Sequence, residues 1–286
     1  MRLRLMSGAV AGLLLAATVR GPKPVMPGIA STAAYSEIRI AFSPDGKRRL
    51  WGVVRNDIAP GKLTIVESIK GKTGWSAPHA VPFASDANDF DPFFSRDGRS
   101  LLFFSNRPGG QGQDDLWQVS FDERTGLYGA PINLGSKVNT SGKEWAPGLS
   151  ADGSCLLFSS DGHGGAGKQD LFVAKREADG SWGDPVNLGA GVNGPEDDFD
   201  ATFVGTDRLV FTSGDSENGP IRLYVARLAD KRFQGRERLT APMNCSPDFN
   251  LGPAWRPSEP RRLYYSAACP GIGPGKADIF VADLPR

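Results

Sequence analysis

Histidine is nearly absent, with two in 286 residues, and cysteine occurs only three times. No Cys-x-x-Cys pair and no Cys/His cluster occurs, which leaves no ordinary zinc site. An excess of one charge is missing too, since 33 Lys and Arg face 32 Asp and Glu. Nothing electrostatic therefore calls for nucleic acid or an anionic membrane as partner. No Gly-x-Ser-x-Gly elbow is present, which excludes the usual serine-hydrolase nucleophile. The Gly-rich stretch "SSDGHGGAGKQDLF" (159–172) is not followed by a helical pattern, so it lacks the helix N-terminus of a phosphate loop.

Long apolar runs are also scarce. The one near the start, from about Ala9 to Val19, is too short to span a bilayer comfortably. It follows Arg2 and Arg4 and precedes small residues, the layout of a secretory leader over residues 1–21, with an uncleaved anchor as the alternative. No Cys follows the run, so a lipid anchor is not expected. Loss of Met1 to Gly21 removes three arginines and takes the formal charge from +1 to −2. A periplasmic or secreted protein without stable membrane insertion is expected, in an oxidising compartment where disulfides persist.

What is abundant is punctuation: 36 Gly and 22 Pro, in a chain that is still 40% hydrophobic. That profile fits an ordered protein with many turns. "FFSRDGRSLLFFSNRPGGQGQDDLWQVSFDERTGLYGAPINLG" (93–135) and "GLSADGSCLLFSSDGHGGAGKQDLFVAKREADGSWGDPVNLG" (148–189) are two copies of one phrase. Weaker copies open at Ala41, Thr202 and Ala254. The apolar residue before each turn, Phe42, Phe94, Leu149, Phe203 and Trp255, recurs at spacings of 52, 55, 54 and 52.

Each unit reads as short strands joined by an Asp-Gly turn, a Gly-rich link and a polar link, a pattern of four strands. A period near 50 residues with four strands predicts an all-β, five-bladed β-propeller forming one domain over residues 22–286. The last unit stops after "ADIFVADLPR", its third strand, while "KPVMPG" near Pro24 matches the fourth-strand phrases "APINLG" and "DPVNLG". The N-terminal strand is therefore expected to complete the last blade and close the ring. Cleavage after Ala33 would remove that strand.

The phrases "FSPDGKRRLWGVV", "FSRDGRSLLFFSNR" and "LSADGSCLLFSSDGHGG" resemble the TolB-like, WD-type propeller repeat of exported bacterial proteins. The resemblance implies a rigid scaffold that binds a protein, peptide or glycan of the cell envelope without catalysis, as a monomer. It also leaves room for an enzyme, because propellers carry glycoside hydrolases with carboxylates at the channel mouth. Asp91, Glu144 and Asp200 are the candidates for that alternative chemistry.

Strands of a blade alternate in direction, so successive links alternate between the two faces of the disc. The Asp-Gly turns and "DERTG" share one face; the Gly-rich links and inter-blade connections share the other, which reads as acidic. Five positions before each marker stand Glu37, Asp89, Glu144, Asp198 and Asn250, each followed by an apolar residue (Ile38, Phe90, Trp145, Phe199, Leu251). As a ring of ligands they suit Ca²⁺ or a polyhydroxylated molecule. As repeated architecture they suit carboxylates that accept backbone N–H groups, which repetition in every blade favours. No other cofactor is expected.

Less regular residues on that face are the better binding candidates: Arg55, Asp57, Asp91, Arg107, Trp145, Asp161, His163, Glu196, Asp197 and Asp200. Phe90, Trp145 and Phe199 also read as inter-blade core, and Trp75, Tyr128, Trp182 and Phe233 as outer-strand packing. His79 and His163 fall in links on opposite faces and form no metal pair. Cys245 and Cys269 fall on one face of the last blade and are expected to pair, which leaves Cys155 as a buried thiol.

Overall fold

The computed structural model describes residues 21–285, in which every regular element is a β-strand. The leader expected over residues 1–21 lies, apart from Gly21, outside the described residues. Five antiparallel sheets form the five blades of a propeller. The innermost strands are Ser36–Phe42, Asp89–Phe94, Glu144–Leu149, Asp197–Val204 and Asn250–Ala254, in blades 1 to 5. Blade 3 shows the pattern: Glu144–Leu149 pairs Cys155–Ser160, which pairs Asp170–Lys175, which pairs Val186–Asn187.

Second strands such as Ser100–Ser105 and Cys155–Ser160 are buried along nearly their whole length. Blades stack face to face, so both sides of these strands are covered. That is why "SLLFFS" and "CLLFSS" read as continuous apolar runs rather than alternating ones. One hydrophobic cluster fills each of the five seams between neighbouring blades. The seam between blades 2 and 3, for example, packs Phe90, Phe104 and Leu116 against Leu149, Phe158 and Phe172.

The ring closes as the sequence predicts. Lys23 and Pro24 pair with Val281 and Phe280, so the N-terminal strand is the outer strand of blade 5. Buried Ser31 holds this segment by donating to the carbonyls of Val25 and Ile279. Cys245 and Cys269 are joined in a disulfide with Cα atoms 5.2 Å apart. Cys155 is only half-buried rather than buried, because it begins its strand beside the exposed turn. His79 lies in an outer strand next to Glu67, not in a link.

Every innermost strand carries a one-residue β-bulge at the same place, three residues before its marker. The bulged residues are Arg39, Asp91, Ala146, Asp200 and Gly252, all left-handed with φ between 46° and 60°. A bulge re-aims side chains. Here it places one residue from each blade in a single layer on the propeller axis.

Candidate functional site

The recurrent carboxylates of the link face are held by their own loops. Glu144 accepts from the Thr140 backbone N–H at 2.9 Å, the Thr140 hydroxyl at 2.7 Å and the Ser160 hydroxyl at 2.7 Å. Asp89 accepts from the N–H and hydroxyl of Ser85 and from Arg107. Glu37 is bound by Thr32, Asp198 by the Gly194 N–H, and Asn250 bonds both backbone groups of Ser246. All five are buried. Burial raises the pKa of Glu37 to about 7, against the usual 4.5, while the Thr32 hydrogen bonds oppose the shift. No group of three or more His, Cys, Asp or Glu is arranged to hold a metal among the described residues.

The Gly-rich links follow the same rule. Asp170 accepts from the N–H groups of Ala166 and Gly167 at 2.8 and 3.0 Å, so "SSDGHGGAGKQDLF" folds around its own aspartate. Asp115 does the same with Gln111 and Gly112 in blade 2. The links of this face carry eight Asp and Glu against seven Lys and Arg. The acidity read from the sequence thus resides largely in strand-initial residues that are buried and neutralised by backbone donors.

The remaining candidates are distributed as follows. Arg55 and Asp57 form an exposed pair at 2.8 Å. Trp145 donates to Asp114 at 2.8 Å and packs on Phe104 and Phe199. Asp161 accepts from the Lys143 N–H at 2.7 Å. A ring nitrogen of His163 lies 2.8 Å from the Val138 carbonyl, with Phe158 and Phe172 against the ring. Asp197 accepts from Gln169 and Ser216. Glu196 is exposed at the blade 3–4 connection. Of the candidates in different blades, Asp91 and Asp200 come together in the bulge layer.

There, Arg39 reaches across the axis. Its Nη2 faces the carbonyls of Ala146, Pro147 and Ala201 at 3.3, 3.0 and 3.4 Å, and Nη1 lies 3.6 Å from Asp200 Oδ1. The Gly252 N–H donates to the other Asp200 oxygen at 3.0 Å. Asp91 has no hydrogen-bond partner at Oδ1. Burial, reinforced by the charge of Asp200 and opposed by Arg39, pushes the Asp91 carboxyl well above its usual range. Burial also raises Asp200, against the pull of Arg39 and the Gly252 N–H. Asp200 is the carboxyl set against the guanidinium, while the Asp91 Oδ1 is left without a donor.

Below this layer, on the face of the Asp-Gly turns, opens a funnel of about 490 Å³. Arg39 lines its floor. Phe42, Phe93, Leu149, Phe203 and Trp255 line its walls, and Arg96 and Arg256 stand at its rim. Phe42, Phe93, Phe203 and Trp255 are all partly exposed. Arg256 lies over Phe42 at 4.9 Å, and Arg96 over Trp255 at 5.9 Å. Blades 2 and 5 are not neighbours, so that last contact crosses the mouth above blade 1.

Most turn aspartates beside the funnel are consumed by the turns. Asp45 accepts from Ser43 and the Lys47 N–H, and Asp97 and Asp152 repeat the arrangement. The five turns together carry five Lys and Arg against five Asp and Glu. The funnel and its floor were missed in the sequence reading. The signal that could have found them is the position three before each marker, where Arg39 stands among Asp91 and Asp200.

The sequence matches no protein-family model and no curated protein. Solved structures resemble the fold. TolB from Acinetobacter baumannii superposes with a TM-score of 0.54 and 16% identity, covering 87% of this chain and 55% of its own. This chain thus spans about half of that protein. The fold is TolB-like. The endo-arabinase from Bacteroides thetaiotaomicron aligns at TM-score 0.56 and 13% identity, over 93% of this chain and 98% of that one. A putative glycoside hydrolase from Parabacteroides distasonis aligns at 0.53 and 11%, over 93% and 97%. At such identities the likeness is one of scaffold, shared by proteins of unlike function.

Proposed function

We propose that the protein is an exported, non-catalytic propeller of the cell envelope that binds a ligand in the funnel on its turn face. The observation that carries this reading is the contrast between the two faces. The link face, favoured by the sequence, commits its recurrent carboxylates to its own backbone, whereas the turn face offers an open cavity of about 490 Å³. That volume falls in the range of small-molecule sites, about 300–1,000 Å³, and its apolar walls with a few polar groups are what such sites use. Export follows from the leader-like N-terminus, and no described helix is long and apolar enough to cross a membrane.

Glycan hydrolysis through Asp91, Glu144 and Asp200 is the competing reading, favoured by the whole-length likeness to an endo-arabinase. It needs two carboxyls facing one open pocket, about 5–10 Å apart. Glu144 is engaged by Thr140 and Ser160, and Asp91 and Asp200 are buried in the bulge layer. A panel of arabinan and other plant and bacterial oligosaccharides, assayed for released reducing ends, separates the two. No release is expected. Release that disappears in Glu144→Gln or Asp200→Asn establishes hydrolysis instead.

A further inference from the structure

Two guanidinium groups at the funnel have buried nitrogens that face a carboxylate without making a hydrogen bond: Arg39 Nη1 at the floor, 3.6 Å from Asp200, and Arg256 Nε at the rim, 3.4 Å from Glu259. The Arg39 side chain is only 3% exposed, so its Nη1 cannot be satisfied by bulk water. A buried donor left without an acceptor keeps its full desolvation cost, more so when the group is charged. Arg96, the second rim cation, forms no ion pair among the described residues and is exposed. Glu259, which faces Arg256 at 3.4 Å, is shared with Arg262 and with the Tyr264 hydroxyl, so it compensates Arg256 only in part. The rim therefore has positive charge to spare above a wall of aromatic rings.

These features select one ligand chemistry. A cation is excluded by Arg96 and Arg256. A strongly polar ligand would strand the faces of Phe42, Phe93, Phe203 and Trp255. An anion at the floor would sit beside Asp200, whose charge already neutralises Arg39. The arrangement that satisfies these conditions has negative charge at the mouth and an apolar body below it.

We infer that the funnel binds a small organic carboxylate with an apolar body, its carboxylate held by Arg96 and Arg256 and its body packed among Phe42, Phe203 and Trp255. This deepens the binding reading above and rests on it. Arg96, lying over Trp255, must swing from the ring to meet the carboxylate.

The test is isothermal titration of the full chain with phenylpropionate and decanoate as aromatic and aliphatic carboxylates, beside neutral phenylpropanol and cationic phenylpropylamine. At least one carboxylate binds more tightly than the alcohol, and the amine does not bind. The stronger of the two carboxylates identifies the body as aromatic or aliphatic. The double variant Arg96→Gln/Arg256→Gln weakens the carboxylate by about tenfold or more and leaves the alcohol unchanged, with native circular dichroism confirming the fold. Trp255→Ala weakens both. Equal binding of carboxylate, alcohol and amine, all reduced by Trp255→Ala, overturns the carboxylate class while the funnel remains a binding site. Failure of every probe to bind, or binding indifferent to Trp255→Ala, overturns both.

Discussion

Arg39 Nη1 and Asp200 Oδ1 lie 3.6 Å apart and join blade 1 to blade 4, two blades that share no seam. Through the Ala146 and Pro147 carbonyls the same guanidinium also engages blade 3. Replacing it should be costly for reasons that a surface ion pair would not show. Arg39→Met leaves Asp200 charged, buried and unpaired, and should lower stability by about 3–5 kcal/mol. Pairing it with Asp200→Asn removes the stranded charge and should recover most of the loss in urea unfolding. A double variant as unstable as the single one would count against this account.

The acid limb of stability carries a sign that can be checked. Glu37 titrates near 7 when folded and near 4.5 when free, so the folded state binds the proton more tightly. Burial raises Asp91 and Glu144 as well. Stability contributed by such groups is present at low pH and declines as pH rises through the folded pKa. Between about pH 4.5 and 7 the unfolding free energy should therefore fall, and Glu37→Gln should flatten the slope. A rising profile over that window would refute it.

Cys245 and Cys269 are 24 residues apart in sequence, and their bridge ties the entry of blade 5 to its Gly-rich link. Closing a loop of that length in the unfolded chain stabilises by about 3 kcal/mol. Cys245→Ser should lose about that much, seen as a lower denaturation midpoint. Cys155→Ser, at a half-exposed strand end, should change stability by about 0.5 kcal/mol or less.

Gly252 is the glycine of the bulge layer, with φ at +60°, and a Cβ there would meet Arg39 at 3.1 Å. Gly252→Ala combines the left-handed cost with pressure on the backbone and Cβ of Arg39 and should destabilise by about 1–2 kcal/mol or more. Ala146 already bears a side chain at φ 53°, so Ala146→Gly should be close to neutral. Calorimetric midpoints of the two variants should separate accordingly.

Fold, blade number and ring closure were legible because each is written five times. Asp-Gly turns, apolar runs and the "PINLG" phrase repeat at a fixed period, and the fourth-strand phrase at Pro24 reveals the closing strand. The site was less legible. Glu37, Asp89, Glu144 and Asp198 stand out by repetition, yet repetition marks a backbone problem solved in the same way in each blade. Arg39 passes unnoticed because no one residue type holds its position across the blades. On the axis five side chains compete for one small volume, so they cannot all be alike. The funnel was illegible for a related reason, since its walls are built from the markers themselves, which double as seam core.

The bulge layer has a further consequence. Repeated modules risk joining out of order, or with one unit skipped, and the seams here offer similar apolar surfaces to any neighbour. Along the axis the five blades read Arg, Asp, Ala, Asp, Gly. A ring holding blade 1 twice would force two guanidiniums into a space that holds one, and a ring without blade 4 would leave Arg39 without its carboxylate. The centre of the disc thus disfavours rings in which the one guanidinium is doubled or loses its carboxylate.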